Sequence, residues 1–323
     1  MRFAARLWQR AFGSVFLVAL SLFPSVQAAA QWTATVGAQD STQGHQVLAF
    51  LPNEIWIHAG DSIRWTLNTG EPHTITFLLA KQRRPPFFVG CPGFSEDPAT
   101  YDGSTCVTTN ILVNAQGLTV NFPKPGNYRI ACLLHENMEG LVHVLDPSQS
   151  LPHDQKFYDA QAQREANALL TSRVPTHHHG DPKSVVVGEG EVVARPGGSQ
   201  TLSVLRFMDE NVTVHAGDTV EWNGDDPVTP HTITFGNPPK NPIRPSKNVT
   251  LDADGARHAI LHTPGDKAHS GFIQASFQDR QGLQQAVPGA TRFRVTFAGA
   301  GTYSYYCFLH GGLGMTGTVT VLP

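Results

Sequence analysis

The chain has 323 residues, with 23 Lys and Arg against 26 Asp and Glu and a formal charge of -3. A net acidic balance argues against nucleic-acid binding, which wants a basic face. Its 30 Gly and 23 Pro lie among Val-, Ile- and Thr-rich stretches, which fits a turn-rich all-β protein better than a helical one.

The first element is not part of the fold. Arg2, Arg6 and Arg10 precede an apolar run from Ala11 to Leu22, and small residues follow at 25–30. This pattern predicts a secretory signal peptide over residues 1–28, cut after Ala28, or with Ala30 as the alternative. The run is too short and wrongly flanked for a membrane helix. No Cys sits at the cut to carry a lipid, and no later stretch is apolar enough to span a bilayer. The expected product is therefore soluble, in the periplasm or secreted. What remains has the size of two ordinary domains.

Next come two strands, Ile55 to His58 and Ser62 to Trp65, joined by a tight turn at Ala59-Gly60-Asp61. A third strand carries His73-Thr74-Ile75-Thr76-Phe77. Cys91 and Cys106 then lie in a segment rich in Pro, Gly, Ser and Asp. In an exported protein such a leftover pair reads as a disulfide, contributing about 3 kcal/mol by loop closure, with a second metal site as the alternative. Further strands cover Leu118 to Phe122 and the segment from Pro125 to Cys132. Residues 153–172 are rich in Ala, Gln, Glu and Leu without Gly or Pro, and predict a helix. Tyr158, Ala162, Ala166 and Leu169 share one face of it, which should pack on a domain. His177, His178 and His179 follow, either a solvated linker segment or a trap for copper or zinc.

The strand pattern then returns. Val212 to Trp222 repeats Ile55 to Trp65, His231 to Phe235 repeats His73 to Phe77, Phe293 to Phe297 repeats Leu118 to Phe122, and Ala300 to Cys307 echoes Pro125 to Cys132. Matched blocks in one order mean two copies of one domain. The expected organisation is a domain over 31–147, a helical linker over 148–182 and a second domain over 183–323, with each domain's short, closely spaced strands forming a β-sandwich.

Each copy offers four metal-binding side chains in one order: His73, Cys132, His135 and Met138, then His231, Cys307, His310 and Met315. Two imidazoles and a thiolate with a weak axial thioether make a blue-copper electron-transfer site. The last three ligands lie on one short loop leaving the strand that ends at the Cys, and the first His closes the site from a distant strand. A rigid scaffold of this kind suits a metal that changes charge without moving its ligands. The chain has four Met, and two of the three besides Met1 fall in these loops. The pattern resembles the plastocyanin/azurin, or cupredoxin, family. The loop from Cys307 to Met315 has the spacing of plastocyanin, and the shorter loop from Cys132 to Met138 that of amicyanin. The resemblance implies two Greek-key β-sandwiches, one type 1 copper per domain and one-electron transfer. The chain departs from single-domain members in its duplication and in long insertions at 73–132 and 231–307.

Around His310 the sequence supplies Gly311, Gly312, Leu313 and Gly314, an uncharged patch expected to leave the imidazole edge exposed for transient partner docking at Leu313 and Gly312. The loop of the first copy carries Glu136 and Glu139 instead. Three functions are weighed. An electron carrier uses both sites. A multicopper oxidase needs several His-x-His pairs and His beside the Cys, and a copper nitrite reductase needs His directly before it, but the neighbours here are Ala131 and Leu133, and Tyr306 and Phe308. A copper buffer or delivery protein usually exposes many soft ligands, and four Met are few for that.

Overall fold

The computed structural model describes residues 28–85, 91–172, 180–275 and 290–323. The first 27 residues of the expected leader, and His177, His178 and His179, lie outside the described residues.

The first unit contains β1 (Gln31–Gln39), β2 (His45–Leu51), β3 (Glu54–His58), β4 (Ser62–Leu67), β5 (Thr76–Phe77), β6 (Ala99–Thr100), β7 (Val107–Thr108), β8 (Gly117–Asn121), β9 (Gly126–Ala131) and β10 (Glu139–Leu145). Helix α1 (Gln155–Leu170) follows. The second unit contains β11 (Ser184–Arg195), β12 (Gly198–Met208), β13 (Asn211–His215), β14 (Thr219–Gly224), β15 (Thr234–Phe235), β16 (Thr250–Leu251), β17 (Arg257–Leu261), β18 (Ala268–His269), β19 (Arg292–Phe297), β20 (Gly301–Tyr306) and β21 (Thr316–Leu322). Strands such as β4 and β19 alternate buried apolar and half-buried polar residues, the period-two pattern of a sheet with one face on a core.

The repeat is visible in the topology. One five-stranded sheet runs β3-β10-β9-β5-β7 and its counterpart runs β13-β21-β20-β15-β18. Each faces its own core. The first is packed around Trp65, Phe77 and Phe122, the second around Trp222, Phe235 and Phe297. The opposing layer is shared. A single sheet of eleven strands runs β16-β17-β19-β14-β11-β12-β2-β1-β4-β8-β6. The seam is the antiparallel pairing of β12 with β2, from Thr201 opposite Leu48 to Val204 opposite His45. Two strand edges that would each stand open are closed against one another.

Helix α1 caps this seam. Asp154 accepts the Phe157 N–H as its N-cap, and Tyr158, Ala166 and Leu169 are buried. Leu169 and Ala166 join Val47, Leu51 and Leu202 in a third apolar cluster that draws on both units. The Glu165 carboxylate accepts the Asn53 N–H at 2.9 Å and the Gln200 side-chain amide at 2.8 Å, one from each unit. Cys91 and Cys106 are joined, with Cα atoms 5.7 Å apart, in the segment between β5 and β7. Among the described residues no helix is long and apolar enough to cross a membrane.

Candidate metal centres

Both sites are built by the same local events. His73 and His231 precede β5 and β15, and each is fixed by a β-bridge, to Leu112 and to Ile273. Strands β9 and β20 stop one residue before Cys132 and Cys307. The loop after each Cys folds back until the Cys N–H donates to the Met carbonyl, 3.0 Å from Cys132 to Met138 and 3.0 Å from Cys307 to Met315. One backbone bond thus closes loops of different length on the same plan, which explains why two spacings serve one geometry.

The two Nδ1 atoms of His73 and His135 lie 3.1 Å apart, with the Cys132 sulfur 3.7 and 3.8 Å from them. In the second site the Nδ1 atoms of His231 and His310 are 3.1 Å apart, and the Cys307 sulfur lies 3.4 Å from His310 Nδ1. Among the described residues these are the two clusters of His, Cys and acidic side chains whose ligand atoms converge, all within 4.8 Å of one another. Met138 and Met315 are fully buried in the same two cores.

Burial opposes the thiolate in both sites. Even so, hydrogen bonds and charge from His135 and His73 hold the Cys132 thiol well below its usual range, and His310 and His231 do the same for Cys307. Burial also opposes the charge on His135, but its bonds to Cys132 and Glu71 push it up to about 9. A closed, apolar pocket that keeps a thiolate against two imidazoles is a poor hydrogen-bond site and a good metal site. The side chains present, two imidazoles and a thiolate with a buried Met on the same loop, fit copper, which His73, Cys132, His135 and Met138 would hold in one unit and His231, Cys307, His310 and Met315 in the other. Bound there, the metal would supply a one-electron Cu(I)/Cu(II) couple.

Several residues that support these donors were not singled out by sequence reasoning. The N–H groups of Thr74 and Thr232 each point at the Cys sulfur from 3.4 Å, and their hydroxyls accept the N–H groups of Leu133 and Phe308 at 2.8 and 2.7 Å. A signal existed, since a Thr follows the first His in both copies. Arg84 donates to the Cys132 carbonyl at 2.9 Å and the Leu133 carbonyl at 2.7 Å, holding the first loop from outside. Asp226 faces His231 Nε2 at 3.3 Å, whereas His73 Nε2 has no hydrogen-bond partner among the described residues. Glu71 lies 3.2 Å from His135 Nε2 and 3.6 Å from His310 Nε2. No repeat betrays it, because the second copy has Thr229 at the matching place.

One expectation is overturned. The His310 edge is not at the surface: the residue is 2% exposed. The loop at 69–71 of the first unit covers it. Leu313 is half-buried with its side chain against Gly70, so close that a Cβ there would meet Leu313 Cδ2 at 2.8 Å. Gly312 stays exposed, but Arg206 donates to the Leu313 carbonyl at 2.8 Å, so a cation lies beneath the patch that reads as uncharged in sequence. His135 is likewise buried.

Two β-sandwiches, each with a buried Cys between two imidazoles and a Met on the closing loop, define a duplicated protein of the small copper-carrying kind. The family model of copper-binding proteins of the plastocyanin/azurin family matches residues 37–145 and 197–322, and the chain belongs to that family. The chain is 32% identical over 118 residues to the plastocyanin of Nostoc punctiforme, a match covering 36% of this chain and 66% of that protein, a little under two thirds. It is 35% identical over 104 residues to the plastocyanin of Ginkgo biloba, covering 30% of this chain and 88% of that protein. Among solved structures, a mutant plastocyanin of fern aligns at 21% identity and a TM-score of 0.24, covering 35% of this chain and 99% of that one.

Proposed function

We propose that the protein is an exported electron carrier that holds two type 1 coppers, one on His73, Cys132, His135 and Met138 and one on His231, Cys307, His310 and Met315, and passes single electrons between redox proteins that dock transiently. The observation that carries this reading is the duplicated pocket, in which two Nδ1 atoms lie 3.1 Å apart beside a buried Cys sulfur in both units. Membership of the plastocyanin/azurin family supports copper as the metal. The chain's own contribution is a pocket that is closed and pre-shaped. The Thr N–H groups brace the sulfur, the loop bond braces the Met, and the sheets brace the first His, so a change in metal charge need not be followed by ligand movement. All eight side chains are buried, which favours a carrier over a delivery protein that must give its metal up.

The test is copper loading with absorbance. Cys132→Ser and Cys307→Ser are each expected to remove about half of the blue absorbance and one of two coppers, because the thiolate supplies both the colour and the strongest bond. Loss of all colour from either change would overturn the two-site reading.

A further inference from the structure

The duplicated sites meet at one atom. Glu71 Oε1 is 3.2 Å from His135 Nε2 and 3.6 Å from His310 Nε2, so the outer nitrogens of the two loop histidines are no farther apart than these contacts laid end to end. The carboxylate is 7% exposed, and its other oxygen, Oε2, has no hydrogen-bond partner among the described residues. Its placement is tightly specified. The Gly70 N–H donates to Gln39 Oε1 at 2.7 Å, the Glu71 N–H donates to Thr69 Oγ1 at 3.2 Å, and Leu313 of the second unit closes on Gly70.

A buried carboxylate with one oxygen unsatisfied is costly to keep. Satisfying one imidazole N–H would need only a carbonyl or an amide oxygen. A full negative charge between two imidazoles does more, because it favours the more positive state of whatever each imidazole binds, and it gives the two rings a shared contact. Here each loop histidine faces the other across Glu71, and both are buried.

We infer that Glu71 is the link between the two metal sites, carrying electron exchange inside the molecule from His135 to His310 and setting the potentials of both sites together. This rests on the proposed two-copper function. The step is one electron leaving the reduced site and arriving at the oxidised one; no bond is made or broken and no proton moves. A partner need then reach only one site to fill or empty both, and the chain works as one two-electron unit. Glu71 is a positioning residue, since it touches the imidazoles and not the reacting centre.

The experiment compares copper-loaded wild type, Glu71→Gln and Glu71→Leu. Site potentials come from spectroelectrochemical titration. Exchange rates come from freeze-quench electron paramagnetic resonance after pulsed reduction, with the two signals assigned in C132S and C307S. Wild-type protein without two blue sites would fail the functional reading itself. Given two blue sites, E71L is expected to slow intersite exchange about tenfold or more, the scale on which outer partners of metal-bound imidazoles act. E71Q keeps an oxygen between the rings, and is expected to retain the wild-type rate while raising both potentials in parallel, because the shared charge is gone. An unchanged exchange rate in E71L with both sites blue would overturn the proposal, as would E71Q moving one potential alone. If E71L fails to load, the two E71Q potentials decide the matter.

Discussion

Asp226 is the residue that distinguishes the second site from the first. Its Oδ2 lies 3.3 Å from His231 Nε2, and the carboxylate is held by the Ser203 hydroxyl and by the N–H groups of Val228 at 2.9 Å and Thr229 at 2.7 Å. His73 Nε2 has no such partner. A carboxylate on the outer nitrogen makes an imidazole a stronger donor and favours the oxidised metal. Asp226→Asn should therefore raise the potential of site two by about 60 mV, a tenfold change in a one-electron equilibrium, and leave site one in place. Separate titration of the two sites checks this, and an equal shift at both would contradict it. The sequence directs attention instead to Glu136 and Glu139 in the first loop, but these face Arg84 at 3.8 Å and Arg129 at 3.6 Å, which offset their charge. At this scale the two converging His-Cys-His clusters were legible because their residues repeat in order. Asp226 and Glu71 were not, because each has no counterpart in the other copy and its contact is made by chains folding together from afar.

Two elements show how local structure protects the site. Strands β1 and β11 each carry a bulge, after Val36 and after Val187, with Gly37 at φ +73° and Gly188 at φ +69°. A Cβ on Gly188 would overlap the His231 imidazole, while one on Gly37 would press chiefly on the movable Thr69 side chain and stand 3.2 Å from His73 Nε2. Gly188→Ala adds this clash to a left-handed backbone that costs about 1–2 kcal/mol for any side chain. It should lower copper affinity at site two about 10–100-fold, with a smaller loss at site one in Gly37→Ala. Competitive copper titration measures both, and equal losses would contradict the account. Helix α1 offers a second test. It is predicted from sequence over 153–172 and observed at Gln155–Leu170, where Asp154 and Thr171 cap it. Glu165 on it satisfies groups of Asn53 and Gln200, both fully buried residues. Glu165→Ala strands those donors and should lower the unfolding free energy by about 1–3 kcal/mol in urea, with the blue absorbance unchanged. The helix was legible from composition and its buried face from spacing. Its role as a clamp was not, since nothing local says that two units meet beneath it.

At the scale of the whole molecule, the repeat announces two copies but not how they sit. The seam between β12 and β2, the cluster under α1 and the cover of 69–71 over the second loop make the copies one body, and that packing turns each loop histidine inward. The expected exposed edge of His310 failed for this reason: the 69–71 segment of the first unit lies over the second loop, with Glu71 Oε1 3.6 Å from His310 Nε2 and Leu313 against Gly70. The carrier proposed above would then fill and empty its two sites as a pair. The measurement that tests this most directly is a coulometric titration of the copper-loaded chain with simultaneous absorbance and oxygen recording. The account predicts that two electrons per chain bleach all the blue colour, that oxidation restores it in full, and that no oxygen is consumed in turnover. Uptake of one electron, a residue of unbleached copper or catalytic loss of oxygen would contradict it.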